Sequence, residues 1–393
     1  MRSYVDNRWL FQKDAQVTKM RAYVEALPDE WEWTWLVPGN EGLDIDFAEG
    51  LPKRGISLYP LPWMDNVLQG RYFFPMREVF RFLENGERFD VMLLEVPELA
   101  RPMRVAQQWT EVRFPIISMV EHVDLYDQTR VPELVRYMLR QIDGSLASDA
   151  LAFPLEGMKQ EWLKAAAATV AVDPSPPCGM PVWNAIYDPR DSKVFGTDSK
   201  RYSRKRKLPV INFISRLSDN QRTHYEEFFQ ACRLLWGEGE RFEVWVQNPN
   251  EAQEESWIRA QGPFVTEVGN DGREDYLRSL WMSDIVPILY PQSHIYSLGY
   301  CEAITAGNHV ITHAFEEHLV ASTISLWQVD PETIKEALQG MMQALRSERY
   351  PSVSVLQDQA KWLIENRSVQ ANIGRVRDTI EEVASARSRE DAA

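Results

Sequence analysis

The chain has 393 residues, 44% hydrophobic and 26% charged, which suits a globular protein of two domains and not a disordered one. Its 58 acidic and 43 basic side chains give a net charge of −15, which argues against a chain that coats nucleic acid indiscriminately. No run approaches the roughly 18 apolar residues of a transmembrane helix, and the charged start MRSYVDNRWLFQKDAQ lacks the apolar core of a secretory signal.

In chain order, short apolar runs alternate with helical patterns. The first half gives strand-like runs at 33–38 (WTWLVP), 55–61 (GISLYPL), 89–96 (FDVMLLEV), 114–122 (FPIISMVEH), 149–155 (DALAFPL) and 169–175 (TVAVDPS). Helical patterns fall at 76–86 and 131–143. Runs such as VMLLEV predict strands buried on both faces. Residues 173–209 are rich in Pro, Gly and polar side chains without a period, and predict an interdomain linker. A second series follows, with strands at 209–215, 242–248, 264–269, 285–291 and 309–314. Its helices are expected at 223–236, at 273–284 and over the stretch CEAITAG, and from 331 onward the pattern is helical, with one long run at 353–386. This alternation predicts α/β architecture with parallel sheets.

Three well-separated cysteines, Cys178, Cys232 and Cys301, make neither a disulfide framework nor a CxxC metal motif, so the expected compartment is the reducing cytoplasm. The fourteen tryptophans are expected mainly in core contacts. No GxSxG, HExxH, GxxxxGK[ST] or GxGxxG motif occurs.

Residues 275–312 carry the most chemistry. They read as helix, a turn at Asp284, buried strand, the polar loop Gln292–Ser297, a helix bearing Glu302, a stop at Gly307, and strand. Unsatisfied N–H groups and the positive dipole end where that helix begins form an anion site. Ser297 and Gly299 let a phosphate approach closely, with Leu298 and Tyr300 beside them in the first turn. Glu302 can accept hydrogen bonds from a sugar or ribose hydroxyl, although a solvated helix acid would look the same. In the first half the loop 60–74 follows a strand and offers Asp65, Asn66 and Arg71 to an acceptor.

The 275–312 segment resembles the donor-binding motif of GT-B glycosyltransferases, especially the retaining family-four type. Asp284, Pro291, Glu302, Ala303 and Gly307 match that pattern in order and spacing. The first acid of the family's Glu-x7-Glu is here His294, and the family's Gly after it is Ser297. The stretch 212–231 is similar to the family's Gly-Arg-Leu…Lys-Gly segment: Arg216 matches the Arg, Gln221 holds the Lys position, and Arg222 follows it. The resemblance makes Arg216 and Arg222 a clamp on the donor diphosphate, a role that two permanently charged, bidentate guanidiniums suit. It places Val268 and Gly269 beside the donor base. It also places His122, at the end of a buried strand, near the donor sugar or the acceptor.

The resemblance implies two Rossmann-like domains facing across a cleft, with a C-terminal helix returning to the first. The expected boundaries are 1–185 for the acceptor domain, 186–207 for a basic linker, 208–352 for the nucleotide-sugar domain and 353–393 for the returning helix. It implies a retaining, metal-independent transferase with no bound cofactor and a nucleoside-diphosphate sugar, UDP-sugar above others, as donor.

Residues 190–207 hold eight basic and two acidic side chains, a local charge of +6, with Arg204, Lys205 and Arg206 at the core. Such a patch suits a polyanion, with Tyr202 available for stacking, although a solvated hinge loop has the same composition. The leading acceptor is a hydroxylated base in DNA, as for some bacteriophage enzymes, which requires the nucleotide to swing out of the duplex. The alternatives are a small or lipid-linked acceptor, a nucleotide-sugar epimerase, and a non-catalytic binder of nucleotide sugars or polyanions.

Overall fold

A computed structural model describes residues 22–38, 56–61, 76–84, 89–94, 97–120, 131–170, 175–183, 208–215, 217, 223–247, 255–268, 273–289, 298–313, 323–326, 328–346 and 353–390. The chain folds as two compact units, Met1–Ile186 together with Val369–Ala393, and Tyr187–Ser368. Among the described residues no helix is long and apolar enough to cross a membrane.

The first unit pairs β1 (Trp33–Pro38) with β2 (Ile56–Leu61) in parallel. A second parallel sheet has the order β3 (Met92–Leu94), β4 (Ile116–Met119), β5 (Ala150–Ala152). Helices α1 (Met76–Glu84), α2 (Ala100–Thr110), α3 (Val131–Leu146) and α4 (Glu156–Thr169) lie between and after the strands. Successive β4 residues serve opposite faces, as the pleat requires. Ile116 packs with Phe82, Met103 and Phe114, whereas Ile117 and Met119 join a cluster with Val376, Ile380 and Val383. Gly144 on α3 lies so close to the Pro97 carbonyl that a Cβ there would sit 2.0 Å from the oxygen, so this helix contact requires glycine.

Thr169 ends α4, whose Met158, Trp162 and Ala166 bury one helical face, and Val170 is extended; residues 171–174 of the strand expected at 169–175 lie outside the described residues. The segment 175–183 is not linker: Val182 bridges to Phe153 in parallel, and Trp183 is buried with its indole N–H donated to Thr379 Oγ1 at 3.2 Å.

The second unit is a six-stranded parallel sheet with the order β11-β10-β9-β6-β7-β8. Its strands are β6 (Val210–Phe213), β7 (Glu243–Val246), β8 (Val265–Glu267), β9 (Ile285–Ile288), β10 (His309–His313) and β11 (Thr323–Leu326). Helices α5 (Tyr225–Gly237), α6 (Glu255–Ala260), α7 (Arg273–Met282), α8 (Leu298–Thr305), α9 (Pro331–Arg346) and α10 (Val353–Arg367) cover it. One apolar cluster joins α5 and α9 to Ile211, Phe213, Val244 and Ile311. Another joins α7, α8 and Leu363 of α10 to Val286, Ile288 and Val310. The strand residues divide by alternation, so the sheet is buried on both faces, as its continuous apolar runs predict.

The C-terminal run divides into two helices. Helix α10 packs on α8 in the second unit, and α11 (Val369–Glu390) belongs to the first unit. An equivalent device ties the start of a strand in each unit. Asp284 Oδ2 accepts from the Val210 N–H at 2.9 Å, and Asp149 Oδ2 accepts from the Ile116 N–H at 2.6 Å.

Candidate functional site

The strand order of the second unit decides where a ligand binds. From β6 the chain adds β7 and β8 on one side, then returns to place β9 against β6 and adds β10 and β11 on the other. The neighbours β6 and β9 therefore send their connections in opposite directions. Open parallel sheets take ligands beyond the carboxyl ends of the strands at such a reversal. Two segments leave the sheet there. One follows β6 through Ser215, and the other follows β9 toward α8, whose first turn is Leu298–Tyr300.

Helix α8 is built as the sequence suggests. It ends in a Schellman motif, with the Asn308 N–H bonded to Ala303 O at 2.9 Å and the Gly307 N–H to Ile304 O at 2.8 Å. Gly307 takes φ 73°, which glycine adopts without the Cβ penalty. The Tyr300 ring lies in the core and its hydroxyl pairs with Thr323 Oγ1 at 3.0 Å, so its side chain is part of the packing. Leu298 and Gly299 are half-buried at the helix start, where backbone N–H groups lack intrahelical acceptors.

Glu302 is 1% exposed, not a solvated helix acid. Its Oε2 accepts a hydrogen bond from Tyr276 Oη at 2.8 Å. Tyr276 lies on α7, the helix that carries the chain back from the β8 edge to β9. One turn later Ser279 Oγ donates to the Tyr276 carbonyl at 2.7 Å. It also accepts from Asn212 Nδ2 at 3.0 Å and from Gln247 Nε2 at 2.6 Å. A buried polar chain thus runs from β6 and the end of β7 through α7 to the carboxylate on α8.

A second polar group stands at the same end of the sheet. His313 closes β10, and the pleat puts it on the face of Ile311, which packs with α5. His224 precedes α5 with φ 50°, and its Nδ1 is 3.7 Å from Glu227 Oε1. Burial, and then the nearby charge of His224, hold the His313 imidazole below its ordinary pKa.

Sequence reasoning missed Tyr276, Ser279, Asn212 and Gln247. The available signals were a lone polar residue inside the buried run VINF and the helical spacing of Tyr276 and Ser279. Of the expected site residues, the structure describes Glu302, Leu298, Gly299, Tyr300 and Val268, the last following β8 and half-buried. Arg216, Arg222, His294, Ser297, Gly269, His122, Asp65, Asn66, Arg71, Arg204, Lys205 and Arg206 lie outside the described residues, as does the basic segment 190–207. Ser215 and Leu217, on either side of Arg216, are buried.

No protein-family model matches the chain, and no curated protein sequence does. Solved structures match across nearly its whole length. Sucrose-phosphate synthase from Thermosynechococcus elongatus is 10% identical, with a TM-score of 0.71 over 94% of this chain and 93% of that one. HepE from Anabaena, solved with UDP and glucose, is 10% identical, with a TM-score of 0.64 over 94% and 95%. A UDP-forming α,α-trehalose-phosphate synthase from Burkholderia xenovorans is 12% identical, with a TM-score of 0.59 over 90% and 93%. The chain therefore has the GT-B fold, two α/β units each with a parallel sheet.

Proposed function

We propose that the chain is a glycosyltransferase that moves a sugar from a nucleoside-diphosphate sugar, UDP-sugar first among them, to a hydroxyl acceptor. The observation that carries this reading is Glu302, on the helix that follows β9 at the topological reversal, buried and hydrogen-bonded to Tyr276 of the preceding helix α7. In this reading its carboxylate accepts from donor hydroxyls. The first-turn N–H groups of α8 suit the diphosphate. Arg216 and Arg222 would balance the negative charge that grows on the departing nucleoside diphosphate. HepE structures hold UDP or UDP-glucose, and a pneumococcal O-GlcNAc transferase, 14% identical, holds UDP and GlcNAc. Contact of His294 and Ser297 with the donor, the base beside Val268 and Gly269, retention of configuration and independence from metal complete the reading, on the family resemblance.

For the acceptor we keep a hydroxylated base in DNA, on the +6 charge of residues 190–207, with Arg204, Lys205 and Arg206 on phosphates. His122, Asp65, Asn66 and Arg71 are the acceptor-side candidates of the first unit. A second reading, a small phosphorylated sugar, is favoured by the similarity to sucrose- and trehalose-phosphate synthases, one of them solved with glucose-6-phosphate.

A donor panel tests the core claim. UDP-sugars are expected to raise the melting temperature by mass action and to release UDP when an acceptor is supplied. Neither effect from any donor would sink the reading, and a new sugar nucleotide without UDP release would indicate an epimerase. Mass gain on a hydroxymethylated duplex, measured against glucose-6-phosphate, separates the two acceptors. Unchanged turnover in EDTA and an axial or equatorial product bond by NMR test the metal and stereochemical expectations.

A further inference from the structure

A carboxylate that is 1% exposed needs hydrogen-bonding neighbours, because a buried charge without them is costly. Tyr276 supplies one, at 2.8 Å to Oε2. A carboxylate offers about four acceptor positions, and the phenol occupies one of them. The helix that carries the phenol is itself held. Ser279, one turn along the same helix, uses its single donor on the Tyr276 carbonyl and accepts from Asn212 and Gln247. Asn212 lies within β6, and Gln247 follows β7, so these bonds fix α7 to the two strands beside the reversal. Loss of the phenol hydroxyl would remove one of the bonds that fix the Glu302 carboxylate while the helix remained anchored through Ser279.

We infer that Tyr276 is a positioning residue, which holds the Glu302 carboxylate in the orientation that meets a hydroxyl of the bound nucleotide sugar. The inference rests on the donor reading of Glu302 given above. It assigns Tyr276 no contact with the reacting atoms. Its effect belongs to binding, shared by ground state and transition state, and so to KM rather than kcat.

The test is a double-mutant cycle on the full chain, with UDP and UDP-glucose as probes in calorimetric titrations and a UDP-release assay. Tyr276→Phe deletes one oxygen and keeps the ring. It is expected to raise the Kd for UDP-glucose about tenfold, the scale of one hydrogen bond to a charged group, and to leave kcat within about twofold. In a Glu302→Gln background the same change should alter Kd by less than about twofold, because residues that act through one contact are not additive. An unchanged Kd in Tyr276→Phe overturns the inference. An equal loss in both backgrounds also overturns it, since that is the behaviour of general packing. A wild-type chain that binds neither probe overturns the donor reading itself, an outcome distinct from either of these.

Discussion

Glu302 and Arg216 are the residues through which the donor reading is most directly tested. Glu302 accepts a hydrogen bond from a neutral phenol, that of Tyr276. Glu302→Ala and Arg216→Ala are each expected to cut kcat/KM at least about tenfold, the scale of one lost charge-assisted contact. Initial rates of UDP release measure this, and an unchanged rate in a folded variant removes that residue from the site. His313 gives a prediction of a different kind. Burial and the His224 charge hold its folded pKa below the usual 6.5, so below that pH the unfolded chain binds more protons than the folded one. The stability it contributes is therefore complete above about pH 6.5 and is lost as the pH falls toward the folded value. Thermal melts between about pH 5 and 7.5 should show a shallower slope for His313→Gln than for wild type; parallel slopes would mean that another group titrates.

At the level of elements, the second unit was legible where short apolar runs stand between turn residues. VINF, EVWV, IVPI and HVITH are all strands, and the apolar runs around Phe228 and Leu280 fall on helices. What escaped was short or edge-placed. Helix α6 has six residues and buries one of them, Ile258, and β11 is a four-residue edge strand only half-buried for most of its length. Neither length nor period separates such pieces from loop. The helix that bears Glu302 was legible through the turn at Asp284 and the stop at Gly307, which are local features. The Tyr276–Glu302 contact joins residues 26 apart on different helices, and no pattern in one sequence reports such a pair. The packing itself makes a sharp forecast. Phe213 is fully buried and stacks on Phe228 at 4.7 Å between centroids, so Phe213→Ala should cost about 3–5 kcal/mol in denaturant melts. A loss below about 1 kcal/mol would mean that the contact does not exist in solution.

For the molecule as a whole, the doubled strand–helix series made two α/β units legible, because each series must bury its own sheet. The point at which the chain returns to the first unit was not legible, since residues 353–386 read as one helical pattern. The structure divides that pattern at Ser368, and α11 closes the first unit with Val376, Ile380 and Val383 against Ile117, Met119, Tyr23 and Trp183. The second unit is thus inserted into the first, and the first unit's core depends on the last residues of the chain. Ile380→Asp places an uncompensated carboxylate at a position 3% exposed and is expected to cost the first unit about 3 kcal/mol or more. On the donor reading, calorimetry should show this as a lowered transition that UDP does not raise, while a UDP-stabilised transition of the second unit and the Kd for UDP hold their wild-type values. No change in either transition would show that α11 does not complete the first unit's core, and loss of UDP binding would show that the two units unfold as one.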